Sequence, residues 1–177
     1  MKAMNERLKK DFYIRDITIV AEQLLGKIIV RKYETGIEKR FRITEIEMYV
    51  GEEDLACHAA KGRTKRTEVM YSNGGRVYIY LIYGIYWLLN IVTGKKDDPQ
   101  AILIRSVDGI EGPGKVGKKL KLDKSFYGED LGSSTRLWIE DVGILYNYTT
   151  HPRINVEYSG EIWRNKLYRY KIEKALF

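Results

Sequence analysis

The run Arg76-Val-Tyr-Ile-Tyr-Leu-Ile-Tyr-Gly-Ile-Tyr-Trp-Leu-Leu-Asn90 limits the possible folds more than any other stretch. It is the most apolar part of a polar, basic chain and holds four of the fourteen tyrosines. β-Branched and aromatic residues in this density read as strand, because such side chains pack well on a pleated surface. Gly84 divides the run, and a glycine inside a strand pattern marks a turn, a bulge or a close backbone approach. A reversal near Gly84 makes the run a β-hairpin with Tyr83 at its tip. An aromatic ring at an exposed tip adds nothing to a core and suits a wedge.

The flanking segments supply more strands than helices. Asp16 is an N-cap for a helix over residues 17–25, which Gly26 stops. Residues 27–33 and 37–50 read as two strands joined by a turn at Glu34-Thr35-Gly36. Residues 51–58 read as a short helical or irregular segment, 61–66 as a basic loop, and Asn73-Gly74-Gly75 as the turn into the tyrosine-rich run. Further strands are expected at 101–107, 137–139, 154–158 and 168–172. Pro113 suits the first turn of a helix, and 115–124 is strongly basic, with only Val116, Leu120 and Leu122 apolar. No repeat or linker is visible, so residues 1–177 form one α+β domain built on an antiparallel sheet.

Composition removes several functions. The chain has 177 residues, 44% of them hydrophobic and 31% charged, which suits a folded domain with a sizeable core rather than a disordered one. One cysteine, Cys57, excludes an internal disulfide. With only His58 and His151 besides, no zinc-ligand spacing exists and no metal is expected. Cys57 beside alanine reads as a small buried hydrophobe rather than a nucleophile. The charged N-terminus lacks the apolar core of a secretion signal. Residues 77–93 are shorter than the ~20 apolar residues that a spanning helix needs. A cytoplasmic setting is therefore expected, with no membrane partner. The formal charge of +7 favours a polyanionic partner, nucleic acid first and an anionic membrane second, although a merely basic surface accounts for it equally.

The strand 37–50 is irregular. In Phe41-Arg-Ile-Thr-Glu-Ile-Glu-Met-Tyr-Val50, apolar residues occupy positions 41 and 43 and then 46, 48 and 50. Period-2 alternation sets Glu45, Glu47 and Tyr49 on one face and Ile46, Met48 and Val50 on the other. Either the odd face stays inward and two carboxylates enter a partly buried site, or a bulge near Thr44 turns both glutamates outward. Periodicity alone favours the bulge.

The segment Glu47-Met-Tyr-Val-Gly-Glu-Glu-Asp-Leu-Ala-Cys-His58 resembles a motif of the alkyladenine (3-methyladenine, or N-methylpurine) DNA glycosylase family. Tyr78-Ile-Tyr-Leu-Ile-Tyr-Gly and Asn90 resemble a second. Leu24-Leu-Gly26, Leu103-Ile-Arg105 and Gly112-Pro-Gly-Lys115 agree with the family in order and spacing. The resemblance covers roughly residues 17–170. It implies an open, Greek-key-like antiparallel barrel, similar to a formyltransferase C-terminal domain, flanked by a few helices. It also implies excision of damaged purines from double-stranded DNA, with no cofactor, in the cytoplasm (nucleoid) of a prokaryote, by a monomer.

The matching positions carry roles. Glu47 matches the base that activates water at the anomeric carbon, and Arg105 the arginine that holds the backbone and water beside it. Tyr49 and Tyr80 match the rings on either side of a flipped purine, and such walls favour a cationic alkylated base. His58 matches the residue that hydrogen-bonds the purine edge, and Asn90 the one that opposes the amino group of guanine. Tyr83 matches the side chain inserted through the minor groove. Alkylation makes the leaving base cationic, so it departs without protonation; hypoxanthine would need an acid. No lysine occupies a motif position, so simple hydrolysis without a Schiff base is expected. Taken without the resemblance, the tyrosines could be sheet aromatics and His58 a satisfied interior histidine. A non-catalytic nucleic-acid binder on the same scaffold is the alternative reading, and it has no use for a carboxylate aimed at phosphates.

One departure stands out. The family often carries an extra helical segment between the positions of Glu111 and Gly112, and here the chain runs straight through. DNA-backbone contacts then fall to Arg63, Lys65 and Arg66 in the basic loop and to Lys115, Lys118 and Lys119 further on.

Overall fold

The computed structural model describes residues 5–173. Ten strands run in chain order: β1 (Glu6–Arg7), β2 (Ile28–Lys32), β3 (Glu38–Tyr49), β4 (Val77–Ile82), β5 (Tyr86–Thr93), β6 (Gln100–Val107), β7 (Ile110–Glu111), β8 (Leu137–Asp141), β9 (Tyr148–His151) and β10 (Arg169–Ile172). Four short helices join them: α1 (Lys10–Tyr13), α2 (Ile17–Leu24), α3 (Pro113–Lys119) and α4 (Gly160–Arg164). All strand pairs are antiparallel, in the order β1-β8-β2-β3-β6-β5-β4. β10 pairs with β3 and β9, and β7 with β6, so the sheet does not close on itself. The fold is α+β, as the sequence suggested.

β3 organises the sheet. Its first half pairs with β2, its second half with β10, and β6 runs along it from Ile43 onward. The register slips on either side of Glu45, which is the bulge that the shifted hydrophobic pattern predicted. The bulge lets one strand serve two environments. Phe41 and Ile43 lie in the main core before it, and Ile46 and Met48 after it.

Cross-strand registers then define alternating rows. Val77, Ile91, Ile102 and Met48 are register partners across β4, β5, β6 and β3, and all are fully buried in the core. The neighbouring row is Tyr78, Asn90, Leu103, Glu47 and Arg169. Residues one step along a strand face opposite sides, so this second row lies on the other face of the sheet.

Helices cover the apolar face. Asp16 caps α2 through Thr18 N–H at 2.8 Å, and Ile17, Val20, Ala21 and Leu24 are its buried stripe. α3 packs on β5, and its Val116 is fully buried together with Leu120 just beyond it. Gly117 permits this contact, because a Cβ there would meet Trp87 O at 1.8 Å. Among the described residues no helix is long and apolar enough to cross a membrane.

One expectation requires correction, and two strands carry little sequence signal. Residues 154–158 are not a strand: Asn155 has a φ of 59° and a 3-10 turn follows at Glu157–Ser159. The nearby strand is β9, just upstream, whose Tyr-Thr-Thr-His pattern carries little apolar signal. β1 lies in the charged N-terminal stretch and is held by backbone pairing to β8.

Candidate active site

The β4–β5 hairpin turns through Tyr83 and Gly84, with φ values of 50° and 67°. Ile85 N–H donates to Ile82 O at 3.1 Å, which closes a type I′ turn. Tyr83 pays for this left-handed backbone with strain, and its side chain is 83% exposed. Ile85 beside it is 67% exposed, so the tip presents an apolar point to solvent.

Below the tip lies a cavity of about 660 Å³. Glu47, Tyr49, His58, Tyr80 and Arg105 all line it, with Tyr83 at its margin and Lys115 and Tyr158 among the other lining residues. Five of the residues singled out by sequence therefore share one chamber with the hairpin tip. The bulge does turn the glutamates off the hydrophobic core, as the periodicity favoured, but they do not reach solvent. Glu47 is 0% exposed: β10 and β6 flank it within the sheet, and the segment following β9 reaches it through Ile154.

Each Glu47 oxygen has a defined partner. Oε2 accepts from Tyr49 Oη–H at 2.8 Å. Oε1 accepts from the backbone N–H of Ile154 at 2.8 Å and lies 3.3 Å from Arg105 Nη1. Burial and then the charge of Glu47 hold the Tyr49 hydroxyl well above its ordinary pKa, so it stays protonated and donates. A buried carboxylate with its oxygens oriented in this way can accept a proton from a water in the cavity.

His58 is held by Tyr78, with Nδ1 and Oη 2.7 Å apart, and packs edge-on to Tyr80 at 4.6 Å between ring centroids. Burial, followed by the charges of Arg66 and Lys61, pushes its pKa down to about 4, so the ring is neutral at pH 7. Asn90 is buried but lines a separate recess of about 40 Å³, bordered by Tyr49, His58, Tyr80 and Tyr158. Its Nδ2 makes a single long bond, 3.4 Å, to Leu88 O. Cys57 borders the same recess, and burial pushes its thiol up to about 11, which removes it as a nucleophile at neutral pH.

The basic residues divide. Lys115 lines the main cavity. Lys118 and Lys119 sit in the last turn of α3. Arg66 lies over the Tyr80 ring at 5.1 Å, and with Lys65, Lys124, Trp87 and Tyr127 it lines a groove that Tyr80 also borders. Arg63 points elsewhere: it pairs with Glu68 at 2.8 Å and Asp97 at 3.1 Å and covers the Tyr71 ring.

Sequence reasoning missed the support for the catalytic candidates. Asp54 and Arg153 form a fully buried ion pair. Arg153 also donates to Met48 O and Trp163 O, and its guanidinium lies over the rings of both Tyr49 and Tyr168. It thereby fixes Tyr49 and places Ile154, the next residue, against Glu47. Asp54 stood inside the quoted motif without a role. Its acceptance of Ala56 N–H is an Asx-type turn that the Asp-x-Ala spacing allows. Arg153 lies just before the strand expected at 154–158, outside every assigned stretch, and gives no such signal.

A buried carboxylate thus lines a cavity shared with two tyrosines, a histidine and an arginine, beside an exposed hairpin tip. The model of the methylpurine-DNA glycosylase (MPG) family matches residues 11–112 and 108–175. The two parts meet where the connection between β7 and α3 is short. Among curated relatives, a Legionella pneumophila (strain Corby) protein is 40% identical over 177 residues, covering 94% of each chain. One from Borrelia garinii subsp. bavariensis is 40% identical over 179 residues, covering 94% of this chain and 96% of its own. One from Psychrobacter cryohalolentis is 37% identical over 183 residues, covering 87% and 86%. All three bear the name "Putative 3-methyladenine DNA glycosylase". The chain belongs to the methylpurine-DNA glycosylase family.

Proposed function

We propose that the protein excises alkylated purines, 3-methyladenine among them, from duplex DNA by hydrolysis of the N-glycosidic bond. The observation that carries this reading is Glu47: wholly buried, 3.3 Å from Arg105, held by Tyr49 and Ile154, and lining a cavity large enough for a nucleotide. A base within a stacked duplex cannot reach such a floor, so the damaged nucleotide flips out. Tyr83 enters the gap it leaves, and the strained, exposed hairpin tip suits that task.

In the cavity, Tyr49 and Tyr80 flank the base, and their ring faces favour a purine made cationic by alkylation. His58 Nδ1 pairs with Tyr78 Oη; with the hydroxyl as donor, the ring carries its hydrogen on Nε2, which then binds a purine acceptor. Asn90, in the recess behind these rings, opposes the amino group of guanine. Glu47 deprotonates water as the glycosidic bond lengthens, and its charge stabilises the oxocarbenium-like sugar. Arg105 holds Glu47 and the incoming water. The alkylated base leaves without an acid, so neutral deaminated purines such as hypoxanthine are slower substrates. The protein acts as a monomer, and Lys65, Arg66, Lys115, Lys118 and Lys119 contact DNA phosphates, with Arg63 as a further contact when DNA displaces its acidic partners.

Single-turnover release of 3-methyladenine from duplex DNA tests the reading. Glu47→Gln is expected to slow release by about 10²–10⁴-fold, the usual contribution of a positioned general base. Release at the wild-type rate would exclude Glu47 as the base. In the same preparation, Tyr83→Ala should weaken binding of lesion duplex by about 1–3 kcal/mol, the scale of one aromatic–base stack. Unchanged affinity at several salt concentrations would exclude the wedge.

A further inference from the structure

Glu45 is the second carboxylate of the bulge and has no part in the hydrolysis proposed for Glu47 and Arg105. It is 6% exposed and fully engaged. Its Oε2 accepts from Ser106 Oγ–H at 2.8 Å, and its Oε1 accepts from Arg169 Nη1–H at 2.8 Å. Arg105 Nε lies 3.8 Å from the same Oε1. That separation is an ion-pair distance rather than a hydrogen bond, and Arg105 Nε is buried with no hydrogen-bond partner.

Two chains of contact run from Glu45 to Glu47. One passes through Arg105, whose Nε faces Glu45 and whose Nη1 faces Glu47 Oε1. The other passes through Arg169, which holds Glu45 with Nη1 and Pro152 O with Nε at 2.9 Å. Pro152 leads directly into Ile154, whose N–H donates to Glu47 Oε1. Both groups that address this oxygen are thus tied to Glu45. Without Glu45, Arg105 has one carboxylate to face instead of two, and its free Nε can turn toward Glu47 to form a bidentate pair. A carboxylate closed in that pair is a poorer base.

We propose that Glu45 is a positioning residue for the hydrolysis. It draws Arg105 away from full pairing with Glu47, and through Arg169 it fixes the 152–154 segment, so that Glu47 stays basic and aligned. The proposal rests on the reading of Glu47 as the base. Charged and titratable groups from every neighbouring element act on Glu47. They are Glu45 and Tyr49 on β3, Tyr80 on β4, Arg105 on β6, Arg169 on β10, and Arg153 and Tyr158 on the segments that follow β9, with His58, Glu111 of β7 and Lys115 of α3 lining the same cavity. Of the two other carboxylates, the Glu111 side chain is 83% exposed, whereas Glu45 is buried beside Arg105, so removal of Glu45 changes the balance in one direction.

The test is the pH profile of single-turnover base release from 3-methyladenine duplex. Glu45→Gln removes a neighbouring anion, so the acid limb should move to lower pH by about one unit. The plateau rate should fall by up to about 100-fold, as misplacement of a reacting group produces, with little change in lesion-DNA affinity. Arg169→Gln removes a neighbouring cation, so its acid limb should move the opposite way, to higher pH. Glu45→Asp, which keeps the charge, should hold the limb near its wild-type position even if the rate falls. A purely structural Glu45 would lower rates in Glu45→Gln and Arg169→Gln without opposite shifts of the limb, and that result overturns the proposal. So does a Glu45→Gln profile that matches wild type. If Glu45→Gln does not fold, an Arg169→Gln limb that stays put or moves down overturns it alone. Glu47→Gln separates the two readings: full activity there removes the base, whereas an inactive Glu47→Gln with an unmoved Glu45→Gln removes only the role of Glu45.

Discussion

Asp54 and Glu47 are both buried carboxylates paired with an arginine, yet their surroundings differ. Asp54 accepts four hydrogen bonds, from Val50 N–H, Ala56 N–H and both terminal nitrogens of Arg153. Both members of that pair are completely enclosed. Glu47 accepts two hydrogen bonds, its arginine stands off at 3.3 Å, and Arg105 keeps 12% of its side-chain surface. Asp54 has no capacity left for a water molecule, and Glu47 does. A closed pair of this kind has structural work, because every lone pair is filled and the cost of burying the charge is offset locally. An open pair retains an acceptor facing a cavity, which chemistry requires and stability does not. The two pairs are linked through Arg153, which braces Tyr49 and presents Ile154 to Glu47.

The difference can be broken from the closed side. Asp54→Ala leaves Arg153 buried beside two tyrosine rings without its hydrogen-bonded carboxylate. It should destabilise the protein by about 3–5 kcal/mol, the usual result of removing one partner of a buried pair. Urea unfolding measures this directly, with the midpoint falling and the slope unchanged. Glu47→Gln should cost far less stability, because it removes a buried charge and leaves an amide oxygen that can still accept. Equal losses in the two variants would show that both pairs serve the fold.

The contrast also explains what the sequence made legible. The strand count around the tyrosine run, the bulge before Glu45 and the turn at Gly84 follow from local patterns: period-2 alternation, a slip in that alternation, and a glycine within an apolar run. Glu47, Tyr49, His58, Tyr80 and Arg105 were recoverable because they lie in motifs of fixed spacing. Arg153, Arg169 and the Ile154 N–H were not. They reach β3 from more than a hundred residues away in sequence, through β9 and β10, which are short and mostly polar. No periodicity marks a side chain whose partner is set by tertiary closure. Asn90 shows a different limit. Register puts it in the same cross-strand row as Glu47, with Leu103 between them, yet its side chain ends in the recess rather than the main cavity.

The open pair can be sharpened with a smaller change. Tyr49→Phe keeps the ring, including its contact with Arg153, and removes only the hydroxyl that donates to Glu47 Oε2. A hydrogen bond to a charged group contributes about 1.5–3 kcal/mol, and Oε2 has no other donor among the described residues. Two effects should follow. Loss of a donor to the ionised form disfavours it, so the acid limb of base release should move to higher pH. The Glu47 carboxylate loses one of its two orienting bonds, so the plateau rate should fall by about tenfold, equivalent to roughly 1.4 kcal/mol. Global stability should change less than in Asp54→Ala, because the lost bond belongs to a carboxylate that borders a cavity and can take water in its place. A Tyr49→Phe enzyme with the wild-type profile would mean that Tyr49 serves only as a base-stacking wall. One that loses stability as severely as Asp54→Ala would mean that the open pair is as structural as the closed one.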